Sequence, residues 1–108
     1  MGASSTLKLI RVPNVLIGFF TVPLGGLLGG ASTVDNWIVV GLHAISVGAF
    51  MAAWNVYNDL MDIEGDRINH PNRPLASGDI SEERARIIAM ISLVTSVIGL
   101  LGAAGWVS

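Results

Sequence analysis

The chain has 108 residues, of which 52 % are hydrophobic and 13 % charged, with a net charge of −2. The charged share is about half that of a soluble domain, and the length allows one small domain at most. There is no cysteine, which excludes a disulfide framework and a thiolate metal site.

The amino terminus has no short apolar core followed by a small-residue cleavage site, so no signal peptide is expected. Three apolar segments follow, spanning 12–31, 37–57 and 87–107. Each is about the ~20 residues needed to cross a hydrocarbon core ~30 Å thick. The first and third carry no charge, and the second has only His43 as an ionisable group. Three such runs leave almost no polar face for water, which predicts an all-α transmembrane bundle.

In the first span, Pro13 suits an opening helical turn. Pro23 should kink the helix, aided by the Gly25-Gly26 and Gly29-Gly30 pairs. These small residues are best explained by close helix packing. Residues 32–36 form a short connection. Trp37 and Trp106 sit near span ends, where amphipathic rings favour the membrane interface. Ser81 is the expected N-cap of the third span, with Glu82 and Glu83 in its first turn, where they complement the helix dipole. Lys8 and Arg11 precede the first span, and the other four basic residues lie between the second and third. By the positive-inside rule, the amino terminus and the motif loop 58–86 face the cytoplasm of a multi-pass cell-membrane protein.

Seven of the eight acidic residues fall between Asp59 and Glu83. If the second helix continues through this stretch, each residue advances by ~100°. With Asn58 as zero, Asp62 falls near ~40°, Asn55 near ~60°, Asp66 near ~80° and Asp59 near ~100°. Two amides and three carboxylates then share one side of one helix end. Such a cluster is unfavourable without a cation, and hard oxygen donors suit Mg²⁺, which completes its shell with water and phosphate oxygens. The bland alternative is a solvated acidic loop, which needs neither the amides nor the period. An EF-hand beginning at Asp62 fails, because Gly65 is misplaced and the twelfth position is Arg73.

Downstream, Pro71, Pro74 and Gly78 predict that residues 67–78 form a structured turn and no helix. Arg67 and Arg73 flank the carboxylates, and guanidinium groups suit diphosphate oxygens; they could also merely balance the acidic charge. His70 has no placed partner and reads as a loop-surface residue. On the carboxylate side of the second helix, Ala44, Val47, Gly48 and Met51 continue into the membrane and offer a path for an alkyl chain. Ordinary helix packing explains them nearly as well.

Asn58-Asp59-x-x-Asp62-x-x-x-Asp66 resembles the first aspartate-rich motif of the UbiA superfamily of membrane prenyltransferases. Arg73-Pro74-Leu75-x-Ser77-Gly78 is similar to the extension that follows it, and Arg11-Val12-Pro13-Asn14 to the family's signature in its first helix. The resemblance implies a bundle of about nine transmembrane helices around a cavity, with about three of them here. It implies that Asn58, Asp62 and Asp66 bind Mg²⁺ and the diphosphate, with Asp59 in the same motif and Arg67 assisting. Asp62 and Asp66 are the expected catalytic pair, and Arg11, Asn14, Asn55 and Arg73 the expected supporting ligands. The implied chemistry is ionisation of an allylic diphosphate and capture of the cation by an acceptor.

The family's second aspartate-rich motif is missing, since no acidic residue follows Glu83. The chain therefore reads as an amino-terminal part of such an enzyme, inactive alone. The short spacing from Asp66 to Arg73-Pro74 resembles the archaeal-type enzymes that prenylate geranylgeranylglyceryl phosphate. The 4-hydroxybenzoate enzymes of the family tend to have a longer insertion there, whereas the Leu75-Ala76-Ser77-Gly78 run leans toward quinone or homogentisate-type enzymes. An aromatic acceptor, whether a quinone precursor, homogentisate or 4-hydroxybenzoate, is the alternative. The expected partners are the membrane, an isoprenyl diphosphate and a hydrophobic acceptor, with no nucleic acid. The competing readings are a membrane metal-binding or ion-path module and a non-catalytic fragment that retains the motif.

Overall fold

The computed structural model describes residues 2–107. Apolar periodicity and capping residues set six helices: α1 (Gly2–Ile10), α2 (Val12–Leu28), α3 (Val34–Met61), α4 (Ile63–Asn69), α5 (Pro74–Ser77) and α6 (Glu82–Val107). No strand occurs among the described residues. The all-α expectation holds, and the helices form a body of 50 × 23 × 22 Å.

α3 and α6 are each long and apolar enough to cross a membrane; α1 and α2 make a third crossing if counted as one helix bent by 58°. This bend was not expected. Its corner is Arg11, in the left-handed conformation at φ 59°, ψ 63°. A non-glycine residue there costs roughly 1–2 kcal/mol, so neighbours must hold it. Pro13 helps, because it has no N–H to extend the preceding helix. The Arg11 carbonyl instead accepts from Asn14 N (3.0 Å) and Val15 N (3.2 Å) to start α2. The Asn55 amide donates to the Ile10 carbonyl at 2.8 Å, tying the corner to α3. Pro23, where a kink was expected, lies inside α2, which continues through it as one helix.

α2 ends in a tight turn: Gly29 N–H reaches the Gly25 carbonyl at 2.8 Å and Ala31 N–H the Gly26 carbonyl at 2.9 Å. Gly30 supplies the positive φ (91°) that closes it. α3 begins inside the expected 32–36 connection, because the Thr33 hydroxyl caps it by accepting from Asn36 N at 3.1 Å. Ser81 caps α6 as expected, accepting from Arg84 N at 3.1 Å.

α3 and α6 run antiparallel. The Ser46 hydroxyl donates to the Ser96 carbonyl and the Ser96 hydroxyl to the Ser46 carbonyl, both at 2.8 Å. Their backbones close up at Gly99, where a Cβ would stand 3.1 Å from the Leu42 carbonyl oxygen. At the far end the Trp106 indole donates to Asp35 at 3.3 Å. α2 packs on another side of α3, with Gly48 beneath Val15 and Phe19 and Gly18 against Met51. The face of Ala44, Val47, Gly48 and Met51, read above as an alkyl path, is therefore largely a helix seam. Large apolar side chains such as Ile17, Phe20, Leu24, Ile98 and Leu101 remain exposed, as contact with lipid or further helices requires.

A small core of Leu9, Val56, Ile63, Leu75, Ile80 and Ala85 sits at the charged end. It pins α1 and the motif loop onto the long helices. Leu9 is fully buried, worth about 1.5–3 kcal/mol.

Gly99→Ala should push α6 off α3 and lower stability by about 1–3 kcal/mol, as overpacking does. Gly41→Ala, whose Cβ would meet nothing within 4 Å, should leave it unchanged. Unfolding in mixed detergent micelles measures both, and equal midpoints would refute the close approach at Gly99.

Candidate functional site at the charged end of the bundle

The motif was expected on one unbroken helix. α3 instead ends at Met61, and Asp62 takes φ −99°, ψ 12° before α4 starts. The hydrogen-bond ladder still crosses the break, from Asp62 N to the Asn58 carbonyl (3.0 Å) and from Asp66 N to the Asp62 carbonyl (2.8 Å). The carboxylates therefore keep close to their helical spacing, with a local departure from helical dihedrals at Asp62. Asp59 and Asp66 are buried, at 3 % and 6 % exposure, while Asp62 faces solvent.

The 67–78 segment also differs from the turn expected of it. Arg67 to Asn69 complete α4, and Pro74 to Ser77 make one helical turn as α5. Proline presets the dihedral of a first helical position, so Pro74 starts this turn. Gly78 ends it at φ 86°, and Leu75 anchors it in the small core.

Arginines claim the buried carboxylates. Arg11 Nη2 lies 2.7 Å from Asp59 Oδ1, and Arg73 Nη1 lies 2.9 Å from Asp66 Oδ1. Arg67 turns away and pairs with exposed Glu64 at 2.9 Å. Asp62 has no ion pair among the described residues. Asn58 is half-buried, and Asn55 is engaged with the Ile10 carbonyl.

Three cavities line up along this end. One of about 440 Å³ is bounded by Asp62, Gly65, Asp66, Asn69, His70 and Arg73. A second, of about 390 Å³, shares Asn69, His70 and Arg73 and adds Lys8 and Asn72. A third, also about 440 Å³, holds Lys8, Arg11 and Asn14. Asp62, Asp66 and Arg73 thus converge on one cavity, while Asp59 and Arg11 form a supporting pair beside it. Asn69 and His70 also line that cavity; the sequence pattern did not single out Asn69 and placed His70 on the loop surface. They follow Asp66 by one helical turn, so extending the same period past Arg67 would have found them. An apolar groove of about 630 Å³ runs between α3 and α6, lined by Phe50, Trp54, Tyr57, Met90 and Leu93. Met61 belongs to both this groove and the acidic cavity.

Among the described residues no three His, Asp or Glu side chains gather closely enough to hold a metal by themselves. The donor set still fits Mg²⁺, which binds through one or two carboxylates and takes its remaining ligands from substrate phosphate and water. Asp62 and Asp66 are the two carboxylates that share a cavity.

A membrane-embedded helical protein with carboxylates and guanidinium groups gathered at one end of its bundle is the class that this fold and site define. The profile of the UbiA prenyltransferase family matches residues 18–108, and the chain belongs to that family. Its relatives include the digeranylgeranylglyceryl phosphate synthase of Methanococcus aeolicus, 37 % identical over 85 % of this chain and 33 % of the relative. The enzyme of the same name from Methanocaldococcus jannaschii is 39 % identical over 85 % of the chain and 32 % of the relative. That from Sulfurisphaera tokodaii is 31 % identical over 91 % and 35 %. The chain spans about a third of the length of these curated relatives. No solved structure matches it.

Removing Arg11 should leave the buried Asp59 carboxylate without its partner. Arg11→Ala is expected to lower stability by about 1–3 kcal/mol. Glu64→Ala, which breaks a solvent-exposed pair, should change it by less than about 1 kcal/mol. Unfolding midpoints of the two variants in the same detergent check the ranking, and a reversed order would remove the supporting role given to Arg11.

Proposed function

We propose that this chain supplies the first aspartate-rich half of the site of a Mg²⁺-dependent prenyltransferase. In the full-length protein it would transfer an isoprenyl group from an allylic diphosphate to a lipid hydroxyl, with geranylgeranylglyceryl phosphate as acceptor. The observation that carries this is the convergence of Asp62, Asp66 and Arg73 on one cavity. The acceptor oxygen bonds to the first prenyl carbon as that carbon's bond to diphosphate oxygen breaks. Diphosphate leaves with the electron pair, and the hydroxyl proton passes to water.

Asp62 and Asp66 would hold Mg²⁺, which when bound neutralises charge on the leaving diphosphate. Arg73 already lies against Asp66, with further N–H groups free to meet a diphosphate oxygen. Asp59 and Arg11 would support the cavity wall from below. The isoprenoid tail would lie in the aromatic groove of α3 and α6, because Met61 makes that groove continuous with the acidic cavity. The relatives' names support a glyceryl phosphate lipid as acceptor. Leu75 of the run at 75–78 is buried in the small core, which gives it a packing role whatever the acceptor. The protein would sit in the cell membrane with the site on the cytoplasmic side, where the basic residues cluster.

In the full-length protein, Asp62→Ala or Asp66→Ala should lower turnover about 10²-fold or more, and chelation of Mg²⁺ should abolish it. The 108-residue chain alone should form no product from geranylgeranyl diphosphate and acceptor, because water would compete for any allylic cation in an open site. Robust Mg²⁺-dependent turnover by this chain alone would overturn the half-site reading. Orientation is checked separately. Cysteines placed at exposed Ser77 and Ser32 should be labelled from the cytoplasmic and outer sides respectively, and the opposite pattern would invert the topology.

A further inference from the structure

We infer that the cavity beside the acidic one, bounded by Lys8, His70 and Arg73, is a phosphate-monoester site that holds the acceptor lipid's own phosphate. This rests on the prenyltransferase reading above and assigns the second substrate a place in it.

The two cavities differ in sign. The first is lined by Asp62 and Asp66. No carboxylate lines the second, which presents Lys8, Arg73, His70 and the amides of Asn69 and Asn72. A metal belongs in the first and an anion in the second. Arg73 spends one N–H on Asp66 at 2.9 Å, and a guanidinium carries five donors in a fixed fork. It can face both cavities at once. Lys8 makes no ion pair among the described residues, so its ammonium is available to a ligand. Its position is fixed by its neighbour: Leu9 is fully buried in the core that anchors α1, and this sets Lys8 on the cavity wall.

The chemistry of a glyceryl phosphate lipid matches this layout. Its phosphate and its free hydroxyl stand on adjacent glycerol carbons. A phosphate in the second cavity therefore holds the hydroxyl close to the first, where the allylic carbon would be. The shared wall of Asn69, His70 and Arg73 also separates two anions that would otherwise repel each other.

The test uses the full-length protein in lipid nanodiscs, with Lys8→Gln and Lys8→Arg variants of unchanged thermal midpoint. Lys8→Gln should raise KM for the glyceryl phosphate monoether acceptor by about tenfold, a typical loss for one charge-assisted hydrogen bond. KM for geranylgeranyl diphosphate should not move, and Lys8→Arg should restore most of the loss. Equilibrium binding of a labelled glyceryl phosphate monoether, without diphosphate or Mg²⁺, should weaken by the same factor. Glycerol phosphate should compete for this binding, and phosphatidylglycerol in the disc should not. An acceptor KM and binding constant unchanged by Lys8→Gln, in an active enzyme, would overturn this inference alone. So would a rise in KM for the diphosphate instead, or equal competition by the bilayer lipid. A full-length protein inactive with every acceptor would overturn the underlying prenyltransferase reading.

Discussion

The ion pair between Arg11 and buried Asp59 is the contact on which the charged end depends. It joins residues 48 apart in sequence at 2.7 Å. Arg11 holds a left-handed backbone that few residues other than glycine adopt, and Asp59 is a carboxylate almost without water. Neither is stable alone. Together they turn α1 away from α2, and the Asn55 amide closes the same corner on the Ile10 carbonyl. α1 then reaches the motif loop, where Leu9 enters the core beside Leu75 and Ile80. Lys8 comes to the cavity wall as a consequence.

The membrane-crossing part obeys a different constraint. Apolar side chains gain little by facing each other when lipid is the alternative, so close approach and satisfied polar groups must bring helices together. Gly99 allows the approach of α6 to α3, and the reciprocal hydroxyl bonds of Ser46 and Ser96 exploit it. Gly48 and Gly18 do the same for α2. The remaining lateral faces stay apolar and exposed, which suits a chain that spans about a third of its relatives' length.

The three motif carboxylates have different surroundings. Asp59 and Asp66 are buried against arginines, and Asp62 is exposed with no ion pair among the described residues. Carboxylates that look equivalent by spacing thus differ in burial and in partner. Asp59 pairs with the Arg11 corner, whereas Asp62 and Asp66 line one cavity. Arg67 and Arg73 divide in the same way. The arginine next to Asp66 in sequence turns outward to Glu64, and the distant one meets Asp66 itself.

The apolar runs, the caps at Ser81 and Pro13, and the aspartate period were legible from the residues alone. Each depends on composition or on neighbours within a few positions. They were enough to define an all-helical membrane protein and to bring out its family motif. The extent of the helices was less legible, because α3 and α6 continue past their apolar runs into polar turns held by capping. The break at Arg11, the arginine partners of Asp59 and Asp66 and the adjoining cavities were decided only by tertiary structure. Periodicity places a side chain on a face of its own helix but does not say which distant helix covers that face. A left-handed arginine and a buried aspartate are each unfavourable until the other arrives, so no local pattern in the chain could have announced either one.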